Sequence, residues 1–242
     1  MMKKTVKHKY KVLLVAIVLM IVCVVYLNSG YNARKNEIVD YSACFNVTKS
    51  VDGGKTLFYG DERKAGVIFY PGGKVESASY EPLMMSLADK GIVTVLVDMP
   101  FDLAVFDINA AEGIADSFDD IDSWYMAGHS LGGAMAASFV AENSNDFDGL
   151  ILLGAYSTAD LSSTDIRVLS IYGSNDGVMN REKYNECMPN IPEAEEVVIE
   201  GGNHAFFGMY GEQKGDGKAE ITNAEQIGIT AEAIADFIYR EE

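Results

Sequence analysis

Basic charge is scarce in this chain. Of 242 residues only 19 are Lys or Arg against 36 Asp or Glu, for a formal net charge of -17. Binding to nucleic acid draws on clustered cations that displace counterions from phosphate, so no nucleic-acid partner is expected. Cysteine is rarer still. The three residues form no C-x-x-C and no Cys/His cluster, which argues against a disulfide scaffold or a structural zinc site. No metal and no cofactor are expected. Proline numbers five, and no Pro/Ser-rich linker, repeat or low-complexity tract interrupts residues 41–242. What is present is ordinary for a folded protein: 48% hydrophobic and 23% charged residues, enough length for one or two domains, and a sizeable core.

The charge is unevenly spread. Residues 1–30 contain five lysines and no acid, leaving 14 basic against 36 acidic residues in the rest. Residues 12–27 read VLLVAIVLMIVCVVYL, sixteen positions without charge, Gly or Pro. A bilayer span needs about 20 apolar residues and a signal-peptide core about 7–15. Tyr10 and Tyr26 at the edges suit the aromatic belts of a span, and the preceding lysines place the amino terminus in the cytoplasm. The expectation is therefore a cytoplasmic basic tail (1–11), a transmembrane anchor (12–27), a polar tether (28–40) and one domain (41–242) on the extracytoplasmic side. The alternative is secretion after signal cleavage. Cys44 and Cys187 lie in the exported part, as one bridge or as two thiols.

Beyond the tether, strand patterns at 43–49 and 56–59 flank a hairpin signal, Asp52-Gly53-Gly54. Short apolar runs then alternate with helical ones. Strands are expected at 67–70, 92–97, 124–127, 150–153, 168–172 and 196–199, and helices at 80–90, 103–118, 131–142, 181–188 and 223–239. The run IVTVLV at 92–97 is continuous and β-branched, as in a strand buried on both faces. This alternation implies an α/β fold with a mostly parallel sheet and helices on both faces.

The strongest local signal is Gly128-His129-Ser130-Leu131-Gly132-Gly133, which follows an apolar strand and opens a small-residue helix. In that context G-x-S-x-G reads as a nucleophile elbow: Gly128, His129 and Gly132 shape a tight turn that exposes the Ser130 hydroxyl. Ser130 needs a base. Of three histidines, His8 precedes the apolar run and His129 sits inside the turn, which leaves His204 on the loop after strand 196–199. Asp176, on the loop after strand 168–172, is the candidate acid; Asp160 and Asp165 precede that strand. The chain order Ser, Asp, His is that of hydrolases built on such sheets. For an oxyanion, the backbone donors would be Leu131 and Gly73, with Lys74 as the alternative to Gly73.

The segments YPGGKV (70–75), VDMPFDLAVF (97–106), GHSLGG (128–133), YGSNDG (172–177) and GGNHAFFG (201–208) resemble the α/β-hydrolase superfamily. More narrowly, they resemble small exported or anchored bacterial hydrolases related to dienelactone-hydrolase-like enzymes. The resemblance covers roughly residues 67–239 and implies an eight-strand sheet and a Ser130–His204–Asp176 triad acting on a small-molecule ester. Acyltransferase or amidase chemistry, or a non-catalytic sensing domain, are the alternatives; neither the substrate nor the oligomeric state is readable. Only residues 156–166 separate strand 150–153 from strand 168–172, too few for a helical cap, so the site is expected to be open. Phe101, Phe206, Phe207 and Lys74 are candidate pocket residues, with Phe106 and Tyr210 as further aromatics near the rim. The Gly-rich stretch 210–217 lacks the spacing of a calcium loop and reads as a flexible rim loop.

Overall fold

A computed structural model describes residue 11, residues 14–21 and residues 29–240. The chain divides into two units, Met1–Gly30 and Tyr31–Glu242. In the first, residues 14–21 are helical with exposed side chains. Among the described residues no helix is long and apolar enough to cross a membrane. Half of the expected anchor at 12–27 and all of the basic tail at 1–11 but residue 11 lie outside the described residues.

In the second unit, eight strands form one sheet: β1 (Thr48–Asp52), β2 (Lys55–Tyr59), β3 (Ala65–Tyr70), β4 (Ile92–Val97), β5 (Trp124–His129), β6 (Gly149–Leu153), β7 (Arg167–Gly173) and β8 (Ala194–Ile199). Their spatial order is β1-β2-β4-β3-β5-β6-β7-β8. The β1–β2 and β2–β4 pairs are antiparallel, and every pairing from β4 onward is parallel. The hairpin turn has Gly53 and Gly54 both at positive φ. It fixes the register Asp52↔Lys55 to Thr48↔Tyr59, which is why the first strand is Thr48–Asp52 and not the expected 43–49.

Alternation along the strands builds two cores. Ile151 and Leu153 face one side, packed with Leu83 and Leu87 of α2 (Glu81–Asp89) and Ile227, Ala231 and Ile234 of α5 (Asn223–Tyr239). Leu150 and Leu152 face the other, packed with Ala136, Ala137 and Val140 of α3 (Leu131–Glu142). Leu87, Leu150 and Ile234 are fully buried, and each such side chain contributes about 1.5–3 kcal/mol relative to exposure. The remaining α-helices of this unit are α1 (Lys35–Ser42) and α4 (Arg181–Cys187). Helix α5 begins at a capping box, in which the Thr222 hydroxyl accepts the Glu225 amide while the Glu225 carboxylate accepts the Thr222 amide.

Two further expectations differ from the fold. Residues 103–118 form no α-helix. They hold two 3-10 turns, Ala104–Phe106 and Ala115–Ser117, because Pro100 and left-handed Phe101 and Asp102 set the entry and Gly113 (φ 68°) breaks the middle. Part of the expected tether is docked. Tyr31 bridges Val75, its amide donating to the Lys74 carbonyl at 2.7 Å, and α1 follows directly. Cys44 and Cys187 are both free thiols. Residues 154–166, between β6 and β7, form neither helix nor strand, so no cap stands there.

Candidate active site

Ser130 stands between the end of β5 and the first turn of α3, with φ 52° and ψ -121°. A non-glycine residue in that region stores strain, of a kind that clusters at functional sites. Close packing enforces the turn. A Cβ at Gly128 would lie 2.6 Å from the Gly133 nitrogen, and one at Gly132 would collide with the carbonyls of Tyr70 and Pro71. The Ser130 amide donates to the Leu153 carbonyl at 2.9 Å, which stitches the elbow to β6.

The loop after β7 presents Asp176 and the loop after β8 presents His204, both almost wholly buried. Asp176 Oδ2 is 2.8 Å from His204 Nδ1. Asp176 Oδ1 accepts the amides of Val178 (2.9 Å) and Met179 (2.8 Å). Burial pushes this carboxyl up, but the His204 hydrogen bond and charge and the two amides outweigh it, and the group sits below the ordinary 3.8. An ionised carboxylate only accepts, so Nδ1 of His204 carries the ring proton and Nε2 is the basic nitrogen. His204 Nε2 is buried and has no hydrogen-bond partner among the described residues.

His204 and Ser130 line one cavity of about 400 Å³, together with Leu131, Ala134, Met135, Gly154, Ala155, Tyr156, Thr158, Val178, Met179 and Asn180. Gly154 is at φ 52°, and a Cβ there would stand 2.9 Å from His204 Nδ1 and 3.1 Å from Asp176 Oδ2. Leu131 is the first residue of α3, so its amide has no intrahelical acceptor and lies at the positive end of the helix dipole. Gly73 faces it: a Cβ on Gly73 would lie 2.9 Å from Leu131 Cδ2. The Lys74 amide donates to the Asp102 carbonyl at 2.6 Å, which favours Gly73 over Lys74 as the second donor.

A family model described as the alpha/beta hydrolase family matches residues 66–228. The chain belongs to the alpha/beta hydrolase family. The match begins at Gly66 in β3 and runs into α5, so it takes in all three loops just described. No curated protein matches the chain. Membership supports a hydrolase-like function.

The fold keeps the expected pocket residues away from this cavity. Phe101 is 56% exposed and meets Phe106 edge-on, with ring centroids 5.8 Å apart. Phe207 is fully buried against the His129 ring at 5.4 Å. Phe206 lines a separate cavity of about 370 Å³ with Asn203 and Asp216. Lys74 adopts φ 62° and does not line the Ser130 cavity. The residues that do line it come from four segments far apart in sequence, and beyond Ser130, Leu131 and His204 no local pattern marks them.

Behind the elbow, the buried Tyr80 hydroxyl accepts the Gly72 amide at 3.0 Å and lies 2.7 Å from His129 Nδ1. Sequence reasoning missed this residue. Its hydroxyl proton therefore goes to Nδ1, and His129 carries its own proton on Nε2. That nitrogen is buried, and the His204 backbone faces it without reaching hydrogen-bond geometry. Burial first, and then His204, holds His129 well below the ordinary imidazole value of 6.5.

Proposed function

We propose that this hydrolase cleaves carboxylic esters through an acyl-enzyme on Ser130. His204 Nε2 takes the Ser130 proton as Oγ attacks the ester carbonyl carbon. Asp176 stays ionised and holds Nδ1–H, which keeps the useful tautomer and stabilises the imidazolium. The Gly73 and Leu131 amides receive the oxyanion. On collapse the C–O bond to the alcohol breaks, and His204 Nε2–H gives its proton to the departing oxygen. Water then repeats the sequence on the acyl group and releases the acid. A positioned base contributes about 10²–10⁴-fold, and one oxyanion donor about 10²–10³-fold.

The observation that carries this reading is the 2.8 Å Asp176–His204 bond, with Nε2 of His204 unpartnered among the described residues and His204 lining the same cavity as Ser130. No Ser130–His204 hydrogen bond is needed before substrate binds, because such bonds tighten in the complex. The short β6–β7 connection favours a small open enzyme of the dienelactone-hydrolase-like kind. The lysines and apolar run of residues 1–27 support a domain held on the extracytoplasmic face of the membrane. The test is covalent labelling by a fluorophosphonate together with turnover of short p-nitrophenyl esters. Wild type labels and turns over, and Ser130→Ala does neither while remaining folded. Undiminished hydrolysis by Ser130→Ala refutes the assignment.

A further inference from the structure

We infer that Asp216 is a positioning residue that holds the acid and the base of this site in register. Its Oδ1 accepts the amides of Gly177 (3.0 Å), His204 (3.2 Å) and Gly217 (2.8 Å), and its Oδ2 accepts that of Ala205 (2.8 Å). Gly177 follows Asp176 directly. His204 is the base itself, and Ala205 opens the 3-10 turn after it. One carboxylate thus bridges the loop after β7 and the loop after β8, which are also joined by the Asp176–His204 bond, by the Asn175 amide to the Gly202 carbonyl (2.9 Å) and by the Gly201 amide to Ser174 Oγ (2.9 Å). A carboxylate offers about four acceptor positions, and bonds to an ionised acceptor are roughly twice as strong as neutral ones.

The segment carrying Asp216 is laced to the same two loops. Asn203 Nδ2 donates to the Gly217 carbonyl at 2.9 Å, and Asn175 Nδ2 to the Lys218 carbonyl at 3.1 Å. Gly177 lies so close that a Cβ on it would stand 2.7 Å from the Gly217 nitrogen. The stretch expected as a flexible rim loop is therefore a strap across the acid and base loops. Asp216 does not line the Ser130 cavity. It acts through Asp176 and His204, and this role rests on the function proposed for them. Its energetic logic is geometric, since a shift of about 1 Å in a reacting group costs about 10²-fold in rate.

Two variants and one wild-type measurement test the inference. In Asp216→Asn the amide nitrogen replaces one acceptor and faces backbone donors, and in Asp216→Ala all four acceptor contacts vanish. For Asp216→Asn, kcat per fluorophosphonate-titrated serine is expected to fall about 10- to 100-fold, with KM changed less than about twofold. The downfield NMR signal of the proton between His204 Nδ1 and Asp176, identified by its absence in His204→Gln, is expected to broaden or vanish. Counting per titrated site removes any loss due to unfolded protein. An unchanged kcat per site with an intact downfield proton overturns the inference. In wild type, the amides of Gly177, His204 and Ala205 should be protected from hydrogen exchange, and rapid exchange there overturns it even if neither variant folds. If wild type hydrolyses no ester while those amides are protected and the downfield proton depends on Asp216, the positioning role stands and the esterase reading falls.

Discussion

The Tyr80 hydroxyl stands 2.7 Å from His129 Nδ1, and this contact joins the segment before α2 to the turn that carries Ser130. The same oxygen accepts the Gly72 amide at 3.0 Å, one residue before the proposed oxyanion donor Gly73. Burial keeps the phenol protonated far beyond the physiological range. Tyr80→Phe keeps the ring against Phe69, 5.0 Å away between centroids, but strands a buried donor and a buried acceptor. Each such group costs about 1–3 kcal/mol. Urea denaturation is expected to show a loss of that order, with kcat lowered because the Gly73 amide drifts. An unchanged urea midpoint would mean that water replaces the hydroxyl.

His129 makes stability depend on pH. Unfolded, its imidazole takes up a proton near 6.5; folded, burial and the adjacent His204 hold it neutral far below that. Below pH 6.5 the unfolded chain therefore binds the extra proton. The contribution is complete above 6.5 and is lost as pH falls toward the lowered folded value, at about 1.4 kcal/mol per pH unit. Asp176 does not blur this window. Its lowered pKa makes its contribution complete above 3.8 and lost only at more acidic pH. Denaturation at pH 7.5, 6.5 and 5.5 should give a plateau and then a decline that His129→Asn flattens. A level profile across the three would show that His129 titrates freely in the folded state.

Gly154, on the loop after β6, tests the proposed acid–base pair independently of Asp216. At φ 52° alanine is strained by about 1 kcal/mol, and its methyl would sit within 3.1 Å of both His204 Nδ1 and Asp176 Oδ2. Gly154→Ala is expected to lower kcat about 10- to 100-fold while leaving KM nearly unchanged, because the wedge acts on the pair and not on the substrate. Steady-state kinetics on folded, titrated enzyme checks this. Full activity would show that the pair yields without penalty.

The elbow was legible because its signal is local: a strand, two close-packed glycines and a small-residue helix must be contiguous in sequence. The pairing of Asp176 with His204, the proposed acid and base, was legible from chain order, once Ser130 limited the choice to loops after later strands. Strand 92–97 announced itself by a continuous β-branched run, as burial on both faces demands. Tyr80 was not legible, since a tyrosine next to an apolar helix reads as core and its hydroxyl partners lie on two other segments. Asp216 is one of 36 acids, and only the folded loops show which amides meet it. Residues 31–34 read as tether because backbone bonds hold them, such as the Arg34 amide to the Met209 carbonyl at 2.9 Å, and hydropathy does not register such bonds. The apolar spacing at 103–118 served isolated turns, in which Ala104, Ala111 and Ile114 are buried without helical periodicity.

Chain-length preference should follow the cavity and not the exposed phenylalanines. The space beside Ser130 is about 400 Å³ and is walled by Met135 on α3 and by Val178 and Met179 before α4. A thioether is flexible, so these walls adjust to an acyl chain. In an apolar pocket each methylene is worth about 1–3 kcal/mol of discrimination. Met135→Trp, on a half-buried helix position, fills part of that volume with a rigid ring. It is expected to lower kcat/KM for hexanoate esters by about tenfold or more relative to acetate esters. Phe101→Ala, at a side chain that lines no part of this cavity, should leave the ratio unchanged. Measuring both ratios on p-nitrophenyl esters separates the two surfaces. Loss of hexanoate preference in Phe101→Ala alone would move the acyl chain out of the cavity and onto the aromatic rim.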